Sequence, residues 1–331
     1  MDKYYLKLVY TCKYSAGKAR EDCDTILERN GYNPILLGSR IGINILSPLL
    51  KFVSVCTLFF RIPKNSILFI QIPAYNKLSM VIYKIAVLRT KRILVLIHDL
   101  VSIRILSEKD LQEENFIFYH SEIIIVHTQK MKELLVCRGI SADKIRILTA
   151  FDYLSDYQNN EHRSLSNRIT FAGNLSKSPF ISLLSRHPDL HFSLYGILSK
   201  SVTLSSNIEY EGKFISNDVR HIKGDWGLVW DGDSDEKCNG LSGEYLKYIA
   251  SHKLSLYIAA EMPIIVWSES AMCSFVISNN LGISVCAISD IKGAIERLTY
   301  SDYERMLKAL RHFSPLVRKG YMFSSILGKL N

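Results

Sequence analysis

Short apolar runs alternate along the chain with stretches whose apolar positions recur every three to four residues. The first pattern predicts strands and the second predicts helices. Leu6–Tyr10 predicts a first strand. Lys18–Asn30 has helical spacing and stops at Gly31, a residue suited to the left-handed turn that ends a helix. Ile67–Ile72 predicts a buried strand and Lys77–Arg89 a helix. Arg92–Ile97 (RILVLI) is a continuous apolar run of the kind found in parallel strands covered on both faces. Ile123–His127 predicts another strand, followed by a helix to Arg138, and Lys144–Leu148 closes this series.

The texture changes at Asp152–Asn167, which is polar and lacks apolar periodicity, as a linker would. A second series follows. Arg168–Phe171, His191–Tyr195, Gly227–Trp230, Ile264–Trp267 and Ile283–Val285 predict strands, and Leu254–Ala260 and Asp290–Thr299 the clearest helices. This is an α/β chain of two doubly wound halves, expected over residues 1–152 and 168–314 with a linker at 153–167. Ligands of such sheets bind beyond the carboxyl ends of the strands, which singles out the residues directly after each strand.

After the first strand come Ser15, Ala16, Gly17 and Lys18. A small turn opening a helix can offer backbone N–H groups to an anion or a sugar hydroxyl, or it can be a plain connection. No G-x-G-x-x-G and no G-K-[ST] occurs, so neither the dinucleotide fingerprint nor the P-loop is present. His98 and Asp99 follow Arg92–Ile97. An imidazole or carboxylate there is placed to act as a general base, and Asp99 could equally cap the next helix. Gly173, Asn174 and Lys177 follow Arg168–Phe171 and suit an anion. Asp231-Gly232-Asp233 is formally a D-x-D that could hold a divalent ion. It is not an EF-hand loop, because Glu236 and Ser242 stand at its sixth and twelfth positions. Gly240–Ser255 is the richest stretch, with Gly243, Tyr245, Lys247, Lys253 and Ser255. It places a lysine near a helix start, where phosphates are held.

Composition narrows the picture. With 331 residues, 48% of them hydrophobic, the chain can bury two cores. The seven cysteines form no C-x-x-C, which excludes a zinc ribbon and fits a reduced, cytoplasmic setting. The opening MDKYYLKLVY does not read as a secretory signal. Of the net charge of +9, residues 1–152 carry nearly all, with 22 basic against 14 acidic residues. A one-sided basic half suits an anionic partner such as a membrane surface. Ile41–Phe60 is the most apolar stretch, but Pro48 and Lys51 interrupt it. It reads as a core helix or one lying on a bilayer, not as a span. No G-x-S-x-G or H-E-x-x-H is present, which removes serine hydrolases and zinc proteases. No nucleic-acid module is present either, so no nucleic-acid partner is expected.

Taken together, several segments resemble a bacterial family of surface-polysaccharide glycosyltransferases. They are Ala16–Arg20 with Asp22, Ile97–Leu100 with Arg104, Phe151–Tyr153, Ala172–Ser176, Gly227–Ser234, Gly243–Tyr248, His252–Tyr257 and Pro263–Trp267. The family includes O-antigen β-1,6-galactofuranosyltransferases and the glucosyltransferases that extend GlcNAc on serine-rich adhesins. The resemblance covers nearly the whole chain in order. It departs at Ile249-Ala250-Ser251, where members often carry Asn-Asn-Pro, and at Glu261, where many carry Gly.

The resemblance implies a GT-B fold, two Rossmann-like doubly wound domains facing a cleft, with a C-terminal helix (about 315–331) returning to the first domain. It implies a UDP-hexose donor, galactofuranosyl first and glucosyl second, held by Gly173, Asn174, Lys177, Tyr195, Asp231, Gly243, Tyr245, Lys247, Lys253 and Ser255. The acceptor, a saccharide expected on a polyprenyl diphosphate, falls to Ser15, Ala16, Gly17, Lys18 and Arg104. Asp99, then His98, would take the acceptor proton in an inverting transfer. No metal or other cofactor is implied, and Lys253 with the Gly243 loop would replace a metal at the diphosphate. Peripheral contact with the inner face of the cytoplasmic membrane fits the basic half, and a homo-oligomer stays open. The reading from another class is a catalytically inactive subunit that binds a nucleotide sugar.

Overall fold

The computed structural model describes residues 1–8, 17–37, 53, 56–74, 78–157, 161–198 and 205–330. Ser15, Ala16 and most of the Ile41–Phe60 stretch lie outside them. The chain divides into two compact units, Met1–Leu148 with Phe323–Asn331, and Thr149–Met322.

The first unit holds six parallel strands, β1 (Lys3–Leu8), β2 (Asn33–Leu37), β3 (Ile67–Ile72), β4 (Arg92–Ile97), β5 (Ile123–Val126) and β6 (Ile145–Ile147). Their order across the sheet is β2-β1-β3-β4-β5-β6. Parallel neighbours need long crossovers, supplied here by α1 (Lys18–Arg29), α2 (Ser79–Arg89), α3 (Glu108–His120) and α4 (Gln129–Cys137) among others. β3 and β5 are buried at every residue, which explains their unbroken apolar sequence. Gly31 follows α1 at φ +82, as its place in the sequence predicts. Strand order reverses between β1 and β3, where a doubly wound sheet opens its crevice.

The second unit repeats the design with β7 (Arg168–Gly173), β8 (His191–Gly196), β9 (Ile208–Gly212), β10 (Trp226–Val229), β11 (Ile264–Trp267) and β12 (Gly282–Val285). The order is β12-β11-β10-β7-β8-β9, all parallel, so the reversal falls between β7 and β10. Its helices include α5 (His252–Ala259), α6 (Asp290–Glu296), α7 (Tyr300–Lys319) and α8 (Tyr321–Gly328), the last of which ends in the first unit. Trp226, Trp230, Phe171, Phe180 and Phe192 fill one face of this sheet. Tyr257 lies against the other, its hydroxyl accepting from Ala172 N and facing Thr170 O and Leu228 O. Tyr257 thus ties β7 to β10 at the reversal.

Four features depart from the sequence expectations. β2 and β9 are strands that the apolar pattern did not predict; both are edge strands, with exposed residues in NPILL and IEYEG. The polar run expected as a linker lies within the second unit. Its polar groups are spent on structure. The buried Arg163 guanidinium donates to the carbonyls of Glu261, Gly224, Ile222 and Ala260. Buried Asp225 accepts from Ser164 N, Ser166 Oγ and Arg168 Nε. The helix expected to run to Thr299 stops at Glu296, because Thr299 and Asp302 form a capping box that opens α7. Finally, the chain passes to the first unit at Phe323 rather than near 315, since Pro315 lies inside α7. There Phe323 meets the Phe69 ring at 5.5 Å, and Asn30 donates to Ser324.

Candidate active site

In the first unit the candidate chemistry gathers at the carboxyl ends of β3 and β4, beside the strand reversal. The backbone leaving β4 is fixed on both sides. His98 N donates to Ile72 O at 2.9 Å, and buried His127 donates from Nε2 to Ile97 O at 2.8 Å. Burial lowers His127 to about 4, so it is a neutral strut. The His98 imidazole meets Gln71 Oε1 through Nε2 at 2.6 Å, and Gln71 Nε2 donates to Asp24 Oδ1 at 2.6 Å. Asp99 is drawn the other way, accepting from Arg104 Nη1 at 2.8 Å. It does not cap a helix; Leu100 stands at that position of the short helix Val101–Arg104.

The expected acceptor-side residues separate. Arg104 is exposed and engages Asp99. Gly17 precedes α1, and its carbonyl accepts from Arg20 N and Glu21 N. Lys18 is a correction: it is buried and paired with Asp22 one turn along α1, so it belongs to the framework.

Asp24 carries the clearest electrostatic signature. Burial pushes its carboxyl up to about 7, against the lowering effects of Lys7, Gln71 and Arg20. A folded-state value above the unfolded 3.8 means that the native chain holds a proton the unfolded chain has released. That contribution to stability is full below about 4 and is lost as the pH rises through about 7. Relative to the Asp24→Asn variant, the wild-type chain should therefore lose stability across this window. Urea unfolding at pH 4.5 and pH 7.5 checks it, and parallel behaviour of the two proteins would refute the assignment.

In the second unit the residues gather where β7 and β10 diverge. Lys253, the second residue of α5, lays its stem over β7. Its Nζ lies 5.0 Å from the Phe171 ring centroid and 3.7 Å from Asp231 Oδ2. A carbon added at Gly173 would sit 3.0 Å from Lys253 Cε, so a bare backbone is what lets the lysine lie there. Among the described residues the ammonium has no partner at hydrogen-bond length, although its side chain is only 17% exposed. A half-buried cation with a loose carboxylate and an aromatic face is under-compensated. It suits an anion that brings its own oxygens.

Around it, Asn174 and Lys177 form an exposed turn after β7, in which Lys177 N donates to Asn174 O. Lys247 bonds Glu244 at 2.7 Å and Glu269 at 3.0 Å, and these carboxylates hold its ammonium above the usual lysine range. Both carboxylates are well exposed. Exposed pairs are worth about 0–1 kcal/mol, so a ligand diphosphate competes with them easily. Gly243 sits in the short helix Gly240–Glu244, pressed on the preceding loop. A carbon added there would lie 2.4 Å from the Cys238 carbonyl carbon and 3.1 Å from Asp231 O. Gly243→Ala should overpack this contact and cost about 1–3 kcal/mol, read as a lower urea midpoint; an unchanged midpoint would show that the loop gives way freely.

Three expected ligand contacts prove to be framework. Tyr195 is buried, and its hydroxyl donates to His221 O at 2.9 Å and accepts from Lys223 N at 3.0 Å. Tyr245 is buried beside Leu246. Ser255 is 1% exposed inside α5, its Oγ without a hydrogen-bond partner among the described residues. Asp233 is exposed, and among the described residues no group of three or more His, Cys, Asp or Glu is arranged to hold a metal.

Sequence reasoning missed Asp24, Gln71, Phe171 and Tyr257. Gln71 did leave a signal, as the one polar residue in ILFIQI.

Two doubly wound parallel sheets, each carrying polar groups at its strand reversal, define the GT-B class of fold. The chain belongs to the glucosyltransferase 3-like family, whose N-terminal domain model matches residues 3–150 and whose C-terminal domain model matches 169–330. It is 30% identical over 212 residues to the β-1,6-galactofuranosyltransferase WbbI of Escherichia coli K12; the match spans 62% of each chain, less than two thirds of that relative's length. It is 27% identical over 253 residues to glucosyltransferase 3 of Streptococcus gordonii, covering 74% of this chain and 72% of that protein. Among solved structures, Anabaena HepE in complex with UDP shares the fold at a TM-score of 0.62 and 12% identity, covering 100% and 99% of the two chains. Sucrose-phosphate synthase of Thermosynechococcus elongatus does so at 0.65 and 12%, covering 99% and 98%.

Proposed function

We propose that this chain is a glycosyltransferase that moves a hexosyl group from a UDP-sugar to a saccharide hydroxyl in bacterial surface-polysaccharide assembly. The observation that carries the reading is Lys253, a half-buried and loosely compensated ammonium at the β7/β10 reversal of a glucosyltransferase 3-like domain. In the proposed reaction the acceptor oxygen attacks the anomeric carbon, the bond to the donor diphosphate breaks, and UDP leaves with the electron pair. The acceptor proton passes to His98. We favour His98 over Asp99 because Arg104 occupies the Asp99 carboxylate, whereas Gln71 engages His98 through one nitrogen only. Lys253 faces the negative charge that grows on the departing diphosphate, with Lys247, Lys177 and the Asn174 turn around it. This charge compensation makes a metal unnecessary in our reading, and displacement in one step inverts the anomeric centre.

Galactofuranose is the first choice of donor, on the match to WbbI, and glucose the second, on the matches to glucosyltransferase 3. The basic excess of residues 1–152 supports an acceptor on a polyprenyl diphosphate at the inner face of the cytoplasmic membrane. Among the described residues no helix is long and apolar enough to cross a membrane.

The test is a transfer assay with UDP-galactofuranose, UDP-galactopyranose, UDP-glucose and UDP-GlcNAc against a set of lipid-linked sugars, in EDTA. Transfer from one UDP-hexose is expected. Loss of transfer in EDTA with recovery in Mg²⁺ would overturn the metal-independent mechanism, and no transfer or donor hydrolysis under either condition would favour an inactive binding subunit.

A further inference from the structure

We propose that Asp24 and Gln71 are positioning residues that fix His98 as its Nε2–H tautomer, so that Nδ1 is the nitrogen that accepts a proton. This rests on the reading above that His98 is the base.

The argument follows from which groups can donate. An ionised carboxylate only accepts hydrogen bonds. The end of the Gln71 amide facing Asp24 Oδ1 at 2.6 Å must therefore be the NH2 group. That turns Gln71 Oε1 toward His98, and an amide oxygen also only accepts. The ring nitrogen 2.6 Å away, Nε2, must carry the hydrogen. In neutral His98 the lone pair is then at Nδ1. One buried charge thus sets a tautomer two residues away through an amide that transmits its polarity.

The relay is held from several elements. Asp24 is buried on α1 and Gln71 is buried in β3. Arg20, one turn before Asp24, donates from Nη1 to Gln71 O at 3.1 Å and from Nη2 to Pro73 O, so the helix and the strand end are clamped together. The charged groups acting on Asp24 are Lys7 of β1 and Arg20 and Glu28 of α1. Beside His98 stands the Asp99–Arg104 pair. A buried carboxylate and amide cost desolvation energy. An apolar pair would fill this space without that cost, but it would leave the His98 ring without a defined tautomer.

The experiment uses the full chain with ¹⁵N-labelled histidine. Long-range ¹H–¹⁵N correlation spectra at pH 8 identify the tautomer, with His98→Gln assigning the signal. Wild type is expected to show the Nε2–H pattern. Asp24→Asn, which can turn the amide round, and Gln71→Met, which removes it, should both move His98 toward Nδ1–H or a mixture. In the transfer assay kcat should fall by roughly 10- to 100-fold with donor KM within about twofold, less than the ~10⁴-fold of a directly bonded Asp–His pair. Should Asp24→Asn fail to fold, Gln71→Met carries the test alone. An unchanged Nε2–H pattern in every folded variant would overturn the relay. A tautomer that shifts in a chain devoid of transfer activity would uphold the relay and refute the glycosyltransferase reading instead.

Discussion

Replacing His98 by alanine should lower kcat for sugar transfer by about 10³-fold, within the 10²–10⁴ range of a general base, and leave donor KM within about twofold. The two effects separate because the imidazole would act on the acceptor proton and not on the nucleotide. His98 follows β4, whose end is pinned by His127 and Ile72, so loss of the ring removes a base without loosening the strand. Asp99→Asn should cost much less, since that carboxylate is committed to Arg104. Steady-state kinetics of the two variants decide between them. A larger kcat loss in Asp99→Asn than in His98→Ala would return the base to Asp99 and leave His98 a framework part.

The second large effect is expected at Lys253. Lys253→Met keeps the apolar stem that lies on Phe171 and over Gly173 and removes only the ammonium. A preorganised charge facing a leaving group is worth about 10²–10³ in rate, so kcat/KM should fall by at least that factor. UDP binding should weaken with it, because the same charge meets the diphosphate in the ground state. Lys253→Arg should recover part of both. Lys247→Met gives the contrast: its partners Glu244 and Glu269 are exposed, its geometry is less constrained, and a loss of about tenfold or less is expected. Equal losses in the two methionine variants would mean that the β7/β10 reversal is not the diphosphate site.

The sequence carried more of the scaffold than of the site. Runs such as RILVLI announce buried parallel strands, and their ends locate His98 and Gly173 without further help. Lys253 was legible as a lysine at a helix start. Edge strands β2 and β9 were not, because an edge needs fewer apolar residues. Side-chain direction was also hidden. Tyr195, placed among the donor-binding residues by the family resemblance, turns inward to bond the 221–223 segment. Lys18 looks like a surface cation, yet it is buried against Asp22. Asp24 looks like one more exposed acid of a charged helix. Only the register that sets α1 against β3 brings it to Gln71, and through Gln71 to His98. Polar contacts between elements distant in sequence leave no periodic trace, which is why the support around the base had to come from the structure.

The most direct test of the account is titration calorimetry of the wild-type chain and Lys253→Met with UDP, GDP, CDP and dTDP, in EDTA and in Mg²⁺. The account predicts that wild type binds UDP in preference to the others, with equal affinity in EDTA and Mg²⁺, and that Lys253→Met binds it at least tenfold more weakly, about 1.4 kcal/mol. Binding of no nucleotide, or UDP binding that is indifferent to Lys253, would contradict it.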